Sequence, residues 1–232
     1  MRANSPRHST KPLFLLMPNS RPSVLSVNIT SVVHEEEWAG TVGRTGIDKR
    51  SVDFSVLLAN NCMAGDVVAD TKNHGGYHKA VYAYAREDAQ WWEAQLGLAI
   101  ACGRFGENLT TRGIDVTGAL IGERWAIGSS VLEVSEPRIP CRVFAGFWDR
   151  PSLIKDFTNA GRPGAYLRIV REGTLSAGDE IDVVHRPSHG VTISDLFAAK
   201  SGERSRIAEI AEVPEISSDI REWAKRIVET AS

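Results

Sequence analysis

One thiol in this 232-residue chain stands in a setting suited to chemistry. Cys141 closes the segment Glu136-Pro137-Arg138-Ile139-Pro140-Cys141-Arg142, between two arginines and just past a strand-like run, Ser130 to Ser135. Neighbouring positive charge favours thiolate over thiol, the form that ligates metals and attacks electrophiles. Pro137 and Pro140 stiffen the backbone and drive the residues before them toward extended conformations. The competing reading is a small core residue. Cys62, in Asn60-Asn61-Cys62-Met63, and Cys102, after the apolar Ile100-Ala101, fit that ordinary role better. Three cysteines without a C-x-x-C pair make neither a closed disulfide set nor a four-cysteine zinc site. That points to a reducing compartment.

The densest polar cluster is Asp70-Thr71-Lys72-Asn73-His74-Gly75-Gly76-Tyr77-His78-Lys79. Gly75 and Gly76 allow close backbone approach with free amide donors, and His74, His78, Lys72 and Lys79 suit anionic oxygens. The same residues also describe a solvated hairpin turn. A metal pair, His74 with His78, needs a helix that the two glycines disfavour. A second glycine-bearing turn, Gly103-Arg104-Phe105-Gly106-Glu107-Asn108, offers a fixed cation and an amide suited to a heterocycle edge, or simply caps a barrel end. The third piece, Gly46-Ile47-Asp48-Lys49-Arg50, places two cations beside a strand and reads equally as a charged surface loop. If these polar loops converge on one barrel mouth around a thiolate, the implied ligand is anionic, extended and sulfur-seeking.

The elements that must position these residues read as mainly β. Strands are expected at Val24 to Ile29, Ala80 to Tyr84, Asn108 to Thr111, Glu123 to Ala126, Val131 to Val134, Ala165 to Arg171 and Glu180 to Val184. Residues 41–52 read as a loop or bent strand. Short strands with turn signals at close spacing suggest a barrel or sandwich. Helices are expected from Glu87 to Leu96, stopped by Gly97, and from near Asp149 to just before Gly161. The last 45 residues change to three helices: Thr192 to Ala199, Glu203 to Glu212 and Ser217 to Ala231. This divides the chain into a leader (1–23), a barrel (24–187) and a C-terminal helical segment (188–232). The leader is basic, lacks acidic residues and reads as a disordered extension, a transit peptide or an early start codon.

With 42% apolar and 24% charged residues and a net charge of −2, the chain suits one large domain and gives no electrostatic case for nucleic-acid binding. No apolar run reaches bilayer-spanning length. A cytoplasmic location is expected.

The ordered segments Gly46-Ile47-Asp48-Lys49, Asn73 to Val81, Gly103 to Leu109 and Pro137 to Cys141 resemble the motifs of the MOSC domain, the β-barrel named after molybdenum cofactor sulfurases, in its stand-alone bacterial YiiM-like branch. The resemblance spans Val24 to the C-terminus and implies a MOSC-type β-barrel followed by a small three-helix module. It implies the molybdenum cofactor (molybdopterin), and not pyridoxal phosphate, as the bound group. Cys141 matches the molybdenum ligand. Lys49, His74, Gly75, Gly76, Lys79, Arg104 and Asn108 match positions expected to line the cofactor, and Arg138 lies close enough in sequence to contribute. Asp48 and Arg50 depart from the aromatic and neutral residues common beside that lysine in relatives.

The activity implied is reduction of N-hydroxylated compounds, such as hydroxylamino-purines or amidoximes, to amines. The chain shows no iron–sulfur pattern and no dinucleotide fingerprint, so a separate electron-donor protein, flavin or iron–sulfur, is expected. Two alternatives stand beside it. One is a sulfur carrier or cofactor-delivery module without its own reductase activity; the other is a zinc hydrolase using His74 and His78.

Overall fold

The computed structural model describes residues 21–231, so the leader expected over 1–23 lies almost wholly outside the described residues. In chain order the elements are β1 (Ser23–His34), β2 (Thr45–Val52), β3 (Val56–Ala59), β4 (Cys62–Met63), α1 (Thr71–His74), β5 (Val81–Ala85), α2 (Arg86–Leu96), β6 (Leu109–Arg112), β7 (Arg124–Ile127), β8 (Ser130–Pro137), α3 (Arg142–Phe147), α4 (Leu153–Ala160), β9 (Ala165–Arg171), β10 (Gly173–Leu175), β11 (Ile181–His185), α5 (Ile193–Lys200), α6 (Ile207–Glu212) and α7 (Ser218–Ala231). Short 3-10 turns occupy Glu37–Ala39 and Tyr77–Lys79.

The main sheet has the order β11-β7-β8-β9-β5-β6-β1-β2, and a small sheet has the order β10-β3-β4. Every pair is antiparallel except β5 with β6, which α2 joins as a crossover. The main sheet curls until β11 meets β1. Ser23 bridges Glu180, Val24 N–H donates to Asp179 O at 2.9 Å, and Ile181 N–H donates to Pro22 O at 2.8 Å. The result is a β-barrel with β2 flanking it, and the mainly β fold with C-terminal helices is the one the sequence implied. Closing the ring removes exposed edges, which otherwise invite unwanted pairing.

Strand β5 shows how the strand period serves two layers. Its alternate residues Val81, Ala83 and Ala85 enter the barrel interior, with Leu109, Trp125, Leu132 and Leu167. Tyr82 and Tyr84 face outward into an aromatic layer with Trp92, Phe105, Phe144 and Phe157. The three C-terminal helices pack on the barrel's own core through Leu196, Ile210 and Ala224 rather than around a separate one. Thr192 and Asp195 form a reciprocal capping box that starts α5.

Several local expectations change. Residues 71–79 form a short helix and a 3-10 turn, not a hairpin, because Asp70 caps the helix by accepting from Asn73 N–H. Residues 45–52 are a strand, not a loop, held along β1 with register shifts between Thr30 and His34. The helix expected from Asp149 begins at Leu153, and a further helix, α3, precedes it. The α3 helix packs against the 37–39 turn at Gly146, where an added Cβ would overlap Trp38.

Candidate functional site

Cys141 follows from the end of β8. Pro137 has no N–H, so the strand ladder stops there. Arg138, Ile139 and Pro140 then carry the chain outward to Cys141, which is extended (φ −135°, ψ 173°) and caps α3. The thiol is half-buried and lies 3.7 Å from Nε2 of His74, the last residue of α1. The other face of that imidazole is fixed as well, since Nδ1 lies 3.1 Å from the Tyr166 hydroxyl on β9. Tyr166 stands directly across from Tyr82 on β5, with ring centroids 5.3 Å apart.

Arg138 is the anchor of the group. It is only 4% exposed, yet its Nη1 has no hydrogen-bond partner, and no carboxylate among the described residues lies within ion-pair distance. Its guanidinium sits over the rings of Phe144, at 4.3 Å, and Tyr82, at 5.5 Å. Such contacts partly offset the loss of water but do not neutralise the charge. Arg142, the other arginine flanking the thiol, is exposed and reaches Glu37 O at 3.5 Å.

These residues line a cleft that is open to solvent. It is lined by residues of the 39–47 segment and by His74, Lys79, Arg138, Cys141 and Tyr166. Four cations (Arg44, Lys49, Lys79 and Arg138) line it against two carboxylates, Asp66 and Asp70. The surplus is positive, which suits an anionic occupant.

Not every cation is available. Lys49, on β2, is buried and ion-paired with Asp66. Asp66 also accepts from Asn108 Nδ2 at 2.8 Å and from Thr30 N–H and Oγ1 at 3.0 and 2.8 Å. Burial pushes the Asp66 carboxyl up, but Lys49, Asn108 and Thr30 together hold it below its ordinary 3.8. Burial lowers the Lys49 ammonium, with Asp66 opposing. Lys79 donates to Asn73 O at 3.0 Å and lies 3.6 Å from Glu136. His74 is pushed down to about 4, first by burial and then by Arg138 and Lys79, so its imidazole is neutral near pH 7. Burial raises Tyr166 to about 12.

The structure thus brings Lys49, His74, Lys79, Asn108, Arg138 and Cys141 to one cleft. It does not bring Gly75, Gly76 or Arg104 to its wall. Gly76, at φ +83°, makes the turn between His74 and Lys79. Arg104 stacks on Phe147 and Trp148 at 4.1 and 4.9 Å and donates to Phe147 O, fixing α3 from behind. The Asn108 amide is committed: Oδ1 accepts from Tyr82 N–H at 3.0 Å while Nδ2 serves Asp66. Asp48, unexpected beside Lys49, meets Arg50 at 3.2 Å and His34 at 3.4 Å. His78 has different neighbours from His74, with Nδ1 at 3.4 Å from Arg168. No group of three His, Cys, Asp or Glu among the described residues is arranged to hold a metal ion. The sequence reading missed Asp66 and Tyr166. Asp66 sits in an unpatterned loop, and Tyr166 reads as an ordinary strand aromatic.

The barrel thus carries a cysteine, a buried arginine without a carboxylate partner and a neutral histidine around one cleft. Residues 70–182 match the MOSC domain family model. The chain is 33% identical to the uncharacterized protein YflK of Bacillus subtilis over 76% of its own length and 80% of that protein. It is 31% identical to YiiM of Escherichia coli over 66% of its length and 70% of that protein. This chain belongs to the MOSC-domain family. A protein of Gibberella moniliformis called a reductase is 27% identical over 91% of this chain, which spans 38% of that longer protein. The crystal structure of YiiM from Geobacillus stearothermophilus superposes with a TM-score of 0.73 at 27% identity, covering 88% of this chain and 98% of that one. Among the described residues, no helix is long and apolar enough to cross a membrane.

Proposed function

We propose that this protein is a molybdenum-cofactor oxidoreductase that reduces N-hydroxylated compounds, such as hydroxylamino-purines or amidoximes, to amines. The observation that carries the reading is Arg138: a buried guanidinium with an orphaned Nη1, facing a cleft that also presents Cys141. A charge in that position is stabilised by an anionic ligand and is costly without one. A phosphorylated pterin that brings its own sulfur donors needs a single protein ligand, which fits a site with one thiol and no cluster of three protein donors.

In this reading Cys141 ligates molybdenum through sulfur, and Arg138 and Lys79 offset the negative charge of the group. Lys49 and Asn108 act through Asp66, which they hold ionised against the cleft floor. Arg104, Gly75 and Gly76 shape the elements behind the wall. When bound, the cofactor supplies the two-electron exchange of an oxygen atom, so that an N–OH compound, two electrons and two protons give an amine and water. The electrons come from a separate flavin or iron–sulfur donor protein, and we place the reaction in the cytoplasm. The similarity to a reductase-named protein supports the reaction class.

The test is molybdenum analysis and pterin fluorescence on protein made in a host that synthesises the cofactor, with turnover of a hydroxylamino-purine driven by a chemical reductant. Expected are about one molybdenum per chain, and turnover that Cys141→Ser abolishes while Cys62→Ser and Cys102→Ser retain it. Metal-free protein carrying a persulfide on Cys141 overturns the proposal in favour of a sulfur carrier.

A further inference from the structure

Two groups stand in sequence behind the Cys141 sulfur, and their donor capacities favour one direction for the hydrogen bonds between them. The Tyr166 hydroxyl is 3.1 Å from His74 Nδ1, and His74 Nε2 is 3.7 Å from Cys141 Sγ. Arg138, beside the same phenol, can only donate. A neutral imidazole carries one N–H and one acceptor nitrogen, so the phenol decides which is which. If Nδ1 held the proton, Tyr166 would accept from it and its own O–H would lose that nitrogen as an acceptor. Tyr166 is 7% exposed, and His74 Nδ1 is the acceptor within hydrogen-bond reach of its hydroxyl. If Tyr166 donates to Nδ1, every group is served: the proton sits on Nε2 and points at sulfur.

We propose that Tyr166 is a positioning residue for Cys141: its hydroxyl donates to His74 Nδ1, holds that ring in the Nε2–H tautomer, and so aims an N–H at the sulfur. The device is the sulfur counterpart of the outer groups that orient metal-bound histidines. Its consequence for a molybdenum ligand rests on the function proposed above; the direction of the hydrogen bonds does not.

The test uses histidine ring nitrogen–proton correlation NMR at neutral pH on cofactor-free, full-length protein, with the His74 signals assigned through His74→Gln. The wild type is expected to show the Nε2–H pattern. Tyr166→Phe keeps the ring packed on Tyr82 and is expected to lose most of that preference, giving a mixture of tautomers. An Nδ1–H pattern in the wild type, or an unchanged Nε2–H pattern in Tyr166→Phe, overturns the proposal. In cofactor-loaded protein the same variant is expected to shift the Mo(V) electron paramagnetic resonance signal; an unchanged signal at full molybdenum content means the N–H does not act on the ligand sulfur. The absence of molybdenum from the wild type instead refutes the functional reading and leaves the tautomer result standing.

Discussion

At the middle of β8, Glu133 lies directly across from Arg124 on β7 and Arg168 on β9, and bonds both. A few residues on, past the end of the same strand, Arg138 is buried with no carboxylate beside it. Both regions take guanidinium groups out of water. At Glu133 the chain supplies the countercharge itself, by strand register, as a stabilising cross-strand pair. At Arg138 it supplies aromatic faces, the Tyr166 hydroxyl and an opening to the cleft, but no countercharge. On the function proposed above, the contrast separates a charge that serves the fold from one that serves a ligand.

The contrast breaks most visibly at Glu133. Glu133→Gln keeps the shape, removes the charge and leaves Arg168 buried beside His78 and Glu215 O. We expect a loss of about 3 to 5 kcal/mol in urea unfolding, with cofactor content per folded molecule unchanged. A loss below about 1 kcal/mol would mean that the cross-strand pair is not what holds this part of the barrel.

The Lys49–Asp66 pair belongs on the structural side of the comparison although it lines the cleft. Asp66→Asn leaves the Lys49 ammonium buried and unpaired, and about 3 kcal/mol should be lost at neutral pH. The pH dependence has a definite sign. Asp66 has a folded pKa below its unfolded 3.8, so its contribution is present above that value and disappears as pH falls through the folded pKa. The gap in urea midpoint between wild type and Asp66→Asn should therefore narrow from about pH 5 to about pH 3. A gap that stays constant over that range would show that Asp66 is not held ionised by this network.

How much of this was legible in the chain depends on range. Strands with alternating apolar residues, such as Ala165–Arg171, and the amphipathic α7 declare themselves locally. The two-residue β4 does not, because only its pairing with Leu58 and Ala59 makes Cys62–Met63 a strand. Nor does α3, whose Arg-Val-Phe-Ala-Gly-Phe carries no cap signal and is held by the close fit of Gly146 to Trp38. Cys141 was legible because its prolines and arginines are neighbours in sequence. Asp66 was not, since its partners Thr30, Lys49 and Asn108 come from β1, β2 and the loop before β6. Arg104 was assigned to the anion site by motif order, and only its aromatic partners more than forty positions away reveal its place behind α3.

The unpaired arginine gives the opposite sign. Arg138→Met keeps the length of the side chain and its contact with Phe144 while removing a buried charge. In cofactor-free protein it should hold or raise stability, by about 1 to 3 kcal/mol, and molybdenum occupancy should fall steeply. Destabilisation of the cofactor-free protein would place Arg138 with Arg168, as a fold-serving charge.

The smallest effect sharpens the comparison from within the Glu133 group. Arg124 and Arg168 touch the same carboxylate, but the Arg124 side chain is 46% exposed and that of Arg168 is 14% exposed. Water and salt screen the outer contact, and Arg124 loses little solvation in making it. Truncation to alanine leaves Glu133 still paired with Arg168, so no buried charge is stranded. Arg124→Ala should therefore cost no more than about 1 kcal/mol, and less at high salt, against the severalfold larger loss from Glu133→Gln. If Arg124→Ala costs as much as Glu133→Gln, then Glu133 needs both arginines at once, and burial alone does not rank the charges of this barrel.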